Sequence, residues 1–194
     1  MTILPDRPPA DPWELVRDWL PDNDDPVRPT ITVATAADGI ADARTMLLSA
    51  FDEEGFLIHT DARSRKVAQL AANPTIALVI LLPEDAHQLV VQGAAEAASA
   101  EETGWGFRHR SAYLQQLAWQ GTDEFATLPL TDRRQAWAGF AADHRDGFGQ
   151  PPTWTGYRVR PARLTFWQGD QDTASRRLEY SRAGDGWEVT VLAG

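Results

Sequence analysis

The hydrophobic period of this chain changes at Thr30, and that change limits the folds open to it. Before it, Trp13, Val16, Trp19 and Leu20 recur at helical spacing. After it, apolar and polar residues alternate along 30–36 (TITVATA), 42–51 (DARTMLLSAF) and 55–60 (GFLIHT), with only short turns between them. Alternation of period two is the pattern of half-buried strands. Strands joined by turns too short for a crossover pair antiparallel, so this stretch reads as a meander.

The rest of the chain extends that reading. Residues 1–10 are Pro-rich and predict irregular chain. A helix should start at Asp11, with Asp11 as cap, Pro12 in the first turn and Glu14 completing a capping box. Residues 64–72 form a short helix that stops before Asn73-Pro74. Residues 75–82 (TIALVILL) are nearly all apolar and predict a strand buried on both faces, followed by a strand over 87–98. Ser99-Ala-Glu-Glu102 is a capping box, and helical pattern continues from it, with breaks, to about Trp119. A further helix is expected over 131–144, a loop over 146–155, and strands over 156–161, 162–167, 178–182 and 187–192. The fold class is mainly β with helices (α+β), a β-barrel with helical insertions rather than a doubly wound sheet. Residues 11–194 read as one domain, as the 194-residue length favours.

Composition removes several function classes. The chain has no cysteine, which excludes disulfides, thiol catalysis, iron–sulfur clusters and cysteine-ligated zinc. Its net charge of −10 opposes nucleic acid and anionic membranes at long range, so neither is expected as a partner. No apolar run approaches the length of a membrane span, and the first residues lack a secretory pattern, so a cytoplasmic protein is expected. GxGxxG after a strand, a phosphate loop and GxSxG are all absent. His59, His87, His109 and His144 are scattered, so no metal site is expected, and surface or hydrogen-bonded histidines are the plainer reading.

An anion would have to be held by a local cluster of cations, and Ser64-Arg65-Lys66 is the place for one. Lys66 is the single lysine beside seventeen arginines. The start of a helix offers free N–H groups and positive potential, so Arg and Lys are slightly unfavourable there unless an anion sits between them. A phosphate is the natural candidate; a solvated helix start is the plainer alternative. Arg44 opens the apolar segment TMLL, Gln88 opens another strand, Trp167-Gln168-Gly169 ends one, and Arg177 begins the next. Each alone is as well explained by a structural role. Their order is what carries information.

In that order the chain resembles the pyridoxamine 5′-phosphate oxidase family of flavoproteins. The resemblance runs from about Ala10 to the C-terminus through ADPWELVRDWL, ATAADGIADARTMLLSAFDEEGFLIHTDARSRKVAQLAANP, HQLVVQGAAE, YRVRPARLTFWQG and RLEYSRAGDGWEVTVLAG. It implies an antiparallel FMN-binding split β-barrel, homodimeric, with FMN at the subunit interface and residues 155–194 supplying interface strands. It also implies an enzyme that oxidises a small-molecule substrate, with the chemistry residing in FMN. By the same resemblance, Arg44 falls on the family's strand Arg, with Thr45, Met46 and Leu47 running beside the flavin ring. His59 and Thr60 fall on the family's Tyr-Thr pair. Ser64, Arg65 and Lys66 fall on the phosphate donors, Gln88 on the family's Gln, and Trp167 and Arg177 on ring-side residues of the other subunit. The family's Gln-Ser pair falls near Asp123 and Glu124, which do not match it.

The substrate positions implied by the resemblance are altered. Ser49 stands where the family has a phosphate-binding Lys. Gly106, Arg110 and Leu114 stand for Tyr, Arg and Ser, and Thr173 and Ser175 stand for Arg and His. A phosphate that loses several charge-assisted bonds, each worth about 1.5–3 kcal/mol, loses affinity by orders of magnitude. The expectation is therefore an FMN-dependent oxidoreductase with a different substrate, the volume freed at Gly106 and Thr173 opening its pocket and Arg110 holding a carboxylate. An FMN-binding (or haem-binding) protein without turnover, and a true oxidase with a rebuilt substrate site, are the alternatives.

Overall fold

The computed structural model describes residues 4–194; residues 1–3, part of the expected irregular N-terminal segment, lie outside the described residues. The remainder of that segment carries no helix or strand. The elements in chain order are α1 (Trp13–Trp19), β1 (Thr30–Ala37), β2 (Ile40–Leu47), β3 (Ala50–Asp52), β4 (Gly55–Asp61), α2 (Arg65–Ala72), β5 (Thr75–Leu82), β6 (His87–Ala97), α3 (Ala100–Arg108), α4 (Ala112–Gln120), α5 (Asp123–Thr127), α6 (Leu130–Asp143), β7 (Trp154–Gln168), β8 (Arg176–Ala183) and β9 (Gly186–Ala193). They divide between two compact units, one of residues 4–58, 65–97 and 157–194, the other of residues 59–64 and 98–156.

The first unit is built on the sheet, whose strand order is β2-β1-β5-β6-β7-β4-β3, with β8 on β7 and β9 on β8. Every registered pair is antiparallel, as the short turns require. Two cross-strand rows make the core. Val33, Leu78, Val91, Leu164 and Tyr180 stand in register across five strands, and Ile31, Ile80, Leu89, Phe166 and Leu178 form the second row. All ten are buried. At about 1.5–3 kcal/mol for each buried large apolar side chain, these rows are the main source of this unit's stability. The apolar face of α1 joins them: Trp19 stacks on His87 at 4.0 Å and meets Phe166 edge-on at 5.1 Å. The Tyr180 hydroxyl donates to the Pro9 carbonyl at 3.1 Å. Burial, with Glu14 and Asp11 nearby, pushes its pKa up to about 12.

Four local expectations are corrected. The strand expected over 42–51 is two, because the chain changes partner: Leu48 N–H donates to Pro29 and Ser49 N–H to Leu57, so β3 pairs with β4 instead of β1. The strands expected over 156–161 and 162–167 are one, β7, whose register shifts opposite Gln92 and Gly93 and absorbs the extra residue in a bulge. β5 is not buried on both faces: Ile76, Leu78 and Ile80 are buried, whereas Leu81 is 57% exposed. The capping box expected at Asp11 is absent; Pro12 takes the cap position, and the Asp11 carboxylate accepts from the Trp13 N–H at 3.1 Å.

The second unit is helical and irregular. The capping box of α3 forms as expected, with Glu102 N–H on the Ser99 hydroxyl at 3.1 Å and Ser99 N–H on the Glu102 carboxylate at 2.6 Å. Ser111 and Thr122 cap α4 and α5, and α5 was not foreseen in the sequence. None of the residues of α6 is buried. Ring contacts supply much of the packing, among them Tyr113–Trp137 at 5.4 Å and Phe140–Phe148 at 5.7 Å. No helix is long and apolar enough to cross a membrane among the described residues.

Candidate functional site

In the first unit the site is organised around Arg44. It lies on β2 opposite Val33, so its side chain takes the same face as the core rows, and Asp42 two residues earlier shares that face. One terminal nitrogen of Arg44 donates to the Thr35 hydroxyl at 2.7 Å and the Val33 carbonyl at 3.3 Å. The other donates to Gln69 Oε1 at 3.0 Å and lies 2.7 Å from Asp42 Oδ2. Gln69, on α2, accepts from the Thr35 hydroxyl at 2.7 Å and donates to Asp42 at 3.2 Å. The Gln69 amide and the Arg44 guanidinium hold the Asp42 carboxyl below the usual carboxylate range, against the opposing effect of burial. Helix α2 opens on Arg65 and Lys66 with no acid in its first turn. Arg65 stands 3.7 Å from Asp42 with its side chain 82% exposed. Thr45 is exposed on the opposite face of β2, Met46 packs against the core and Leu47 is half-buried.

Gln88, Trp167 and Arg177 stand in register on β6, β7 and β8, so the structure aligns three sequence-predicted residues in one row. Leu81 continues the row on β5 and Leu192 on β9, and both are exposed. Gly169 leaves room for the Trp167 ring; a Cβ there would stand 2.9 Å from Cη2. Ser49 is buried at the β2–β3 break. Thr173 is exposed in the loop after β7, and the carbonyl of Ser175 accepts from the Gly194 N–H at 3.0 Å.

In the second unit the imidazole of His59 is buried, its Nε2 3.2 Å from the Glu102 carbonyl, and it stacks parallel on Trp154 at 5.5 Å. Burial, reinforced by the charge of Arg110, lowers its pKa to about 4. Gly106 is buried, and a Cβ there would overlap the His59 ring. The volume expected to be open at Gly106 is therefore filled by His59, which corrects the pocket inferred there. Arg110 lies over the Trp154 ring at 5.9 Å, and Leu114 is half-buried on α4. The Thr60 and Ser64 hydroxyls are 3.3 Å apart. Ser64 also lines a cleft of about 240 Å³ with Asp61, Arg63 and residues 121–124. Asp123 and Glu124 occupy the first turn of α5. Backbone N–H, the Thr122 hydroxyl and Arg63 hold the Glu124 carboxyl below the usual range.

Sequence reasoning missed Thr35, Asp42, Gln69 and Trp154. Asp42 had a readable signal, since an acid two residues before Arg44 on a strand must share its face. Gln69 had a weaker one, lying one turn after Arg65 and Lys66.

Residues 25–141 match the family model for pyridoxamine 5′-phosphate oxidase, and residues 154–194 match that for the pyridoxine 5′-phosphate oxidase C-terminal dimerisation region. The chain belongs to the pyridoxamine 5′-phosphate oxidase family. Among its relatives, the pyridoxine/pyridoxamine 5′-phosphate oxidase of Rubrobacter xylanophilus is 38% identical over 167 residues, covering 84% of this chain and 76% of that protein. The protein of the same name from Gluconobacter oxydans is 36% identical over 191 residues, covering 94% of each. The crystal structure of PhzG from Burkholderia lata 383, in complex with tetrahydrophenazine-1-carboxylic acid, superposes with a TM-score of 0.84 at 24% identity, over 100% of this chain and 98% of that one. That likeness establishes the antiparallel split-barrel α+β fold of the family.

Proposed function

We propose that this family member is an FMN-dependent oxidoreductase whose small-molecule substrate differs from the vitamin B6 phosphates, and that it works as a cytoplasmic homodimer. The observation that carries the cofactor is the acid-free opening of α2: Arg65 and Lys66 stand at a helix start, directly after Ser64 in the chain. Three charged or hydroxyl donors with no competing carboxylate in that turn suit a phosphate dianion. When bound, FMN would supply the hydride chemistry. Arg44, Thr45, Met46 and Leu47 on β2, together with Gln88, are assigned to the flavin, and Trp167 and Arg177 to the flavin ring of the other subunit.

The C-terminal match supports the dimer. So does β9, which leaves Val189, Val191 and Leu192 exposed. Apolar side chains in that number suit a protein partner better than water. Ser49, Thr173 and Ser175 lack the charge that the family directs at the substrate phosphate, which supports a changed substrate. Arg110 is assigned to a substrate carboxylate. The relatives' shared name favours a second reading, oxidation of pyridoxine or pyridoxamine 5′-phosphate itself.

The absorbance spectrum of the purified protein, with and without added FMN, tests the cofactor. A bound-flavin spectrum weakened in Arg65→Ala and Lys66→Ala is expected; a protein that takes up no FMN would overturn the proposal. An assay for pyridoxal phosphate formation separates the two substrate readings, with turnover below detection expected.

A further inference from the structure

Asp42 meets three groups through one oxygen. Its Oδ2 lies 2.7 Å from a terminal nitrogen of Arg44, accepts from the Gln69 amide at 3.2 Å, and stands 3.7 Å from a terminal nitrogen of Arg65. The first two contacts fix it in place. Arg44 is itself held by the Val33 carbonyl, the Thr35 hydroxyl and Gln69, and Gln69 by Thr35, so β1, β2 and α2 close around this carboxylate. The Gln69 amide and the Arg44 guanidinium also keep it ionised at neutral pH.

The third contact differs in kind. At 3.7 Å it is longer than a hydrogen bond, and the Arg65 side chain is 82% exposed. An exposed pair of that kind contributes little, so Arg65 is able to turn from Asp42 to another anion. The carboxylate cannot follow, because Arg44 and Gln69 hold it. The first turn of α2 therefore has no acid of its own, yet a fixed negative charge on β2 faces its first residue.

We infer that Asp42 is a specificity-determining residue at the phosphate end of the site: its fixed carboxylate competes with the cofactor phosphate for Arg65, and so limits how far a phosphorylated flavin is preferred over a phosphate-free one. The inference rests on the reading of Arg65 as a phosphate donor. Neutralising Asp42 removes a competing partner of Arg65 and a like charge beside the dianion. Asparagine suits the test, since its amide oxygen can still accept from Arg44 and Gln69.

The test titrates FMN and riboflavin into wild type, Asp42→Asn, Asp42→Thr and Asp42→Glu, and into Arg65→Ala with and without Asp42→Asn. Both neutral variants should bind FMN about two- to five-fold more tightly at low salt, with riboflavin unchanged. Asp42→Glu, which keeps the charge, should give no gain. In the Arg65→Ala background Asp42→Asn should lose most of its effect, because the two residues act as a pair. Two neutral variants guard against one that folds poorly. FMN affinity unchanged or weakened in both, a gain shared equally by riboflavin, or a full gain without Arg65 overturns the inference. A wild-type protein that binds the two flavins equally, or whose FMN affinity ignores Arg65→Ala, instead overturns the reading beneath it.

Discussion

The two units use glycine against different neighbours. In the first, Gly93 sits on β6 opposite the bulge of β7, where a Cβ would overlap the carbonyl of Arg160. In the second, Gly106 sits against the imidazole of His59. Backbone held in a sheet cannot give way, whereas a side chain can turn. The first unit thus combines main-chain geometry with apolar cross-strand rows, whereas the second relies more on the fit of individual rings. That difference separates what can be changed in this molecule from what cannot.

The contrast is broken or sharpened first by a pair of substitutions. Gly93→Ala should destabilise by about 3 kcal/mol or more, since overpacking against fixed backbone has no relief. Gly106→Ala should cost about 1–3 kcal/mol, and combining it with His59→Ala should recover part of that loss as a measurable coupling. Denaturant unfolding of the single and double variants reads both values. Equal costs, with no coupling between residues 59 and 106, would remove the distinction.

The next effect is pH-dependent. The fold disfavours the charged form of His59, lowering its pKa from 6.5 to about 4. Its contribution is therefore complete above pH 6.5 and declines as pH falls from 6.5 to about 4, where the unfolded chain takes up a proton that the folded chain does not. The decline amounts to at most about 3 kcal/mol. His59→Gln should flatten that part of the stability–pH curve, and an unchanged slope would show that the ring titrates normally. The smallest effect belongs to a helix cap. Ser99→Ala should cost about 1 kcal/mol, because it removes the hydroxyl that accepts the Glu102 N–H.

How much could be read from the sequence follows the same division. Most strands of the first unit were legible because alternation reports burial directly, and four of the ten core-row residues, Ile31, Val33, Leu89 and Val91, are alternating positions of 30–36 and 87–98. The break at Leu48 was not, since TMLLSAF stays apolar while the chain passes from β1 to β4. Leu81 was misjudged because an apolar run does not show which face a neighbour covers. In the second unit, Ser99 announced its helix, but α5 starts from Thr122, whose capping signal is short and followed by few apolar residues. Gly106 read as open space because a sequence shows a missing side chain and not the ring that fills its place. At the candidate site, the cations were legible one by one. Their connection through Asp42 and Gln69 was not, because β2 and α2 meet only in the folded chain.

The central claim is that Arg65 and Lys66 hold the phosphate of a flavin, and comparing FMN with riboflavin tests it most directly. Titrating each into the apoprotein, followed by quenching of flavin fluorescence, should show much tighter binding of FMN. Arg65→Ala and Lys66→Ala should each weaken FMN by about 10–100-fold, the loss of one charge-assisted contact, and leave riboflavin unchanged. Equal affinity for the two flavins in the wild-type protein, or an FMN affinity indifferent to both substitutions, would contradict the account.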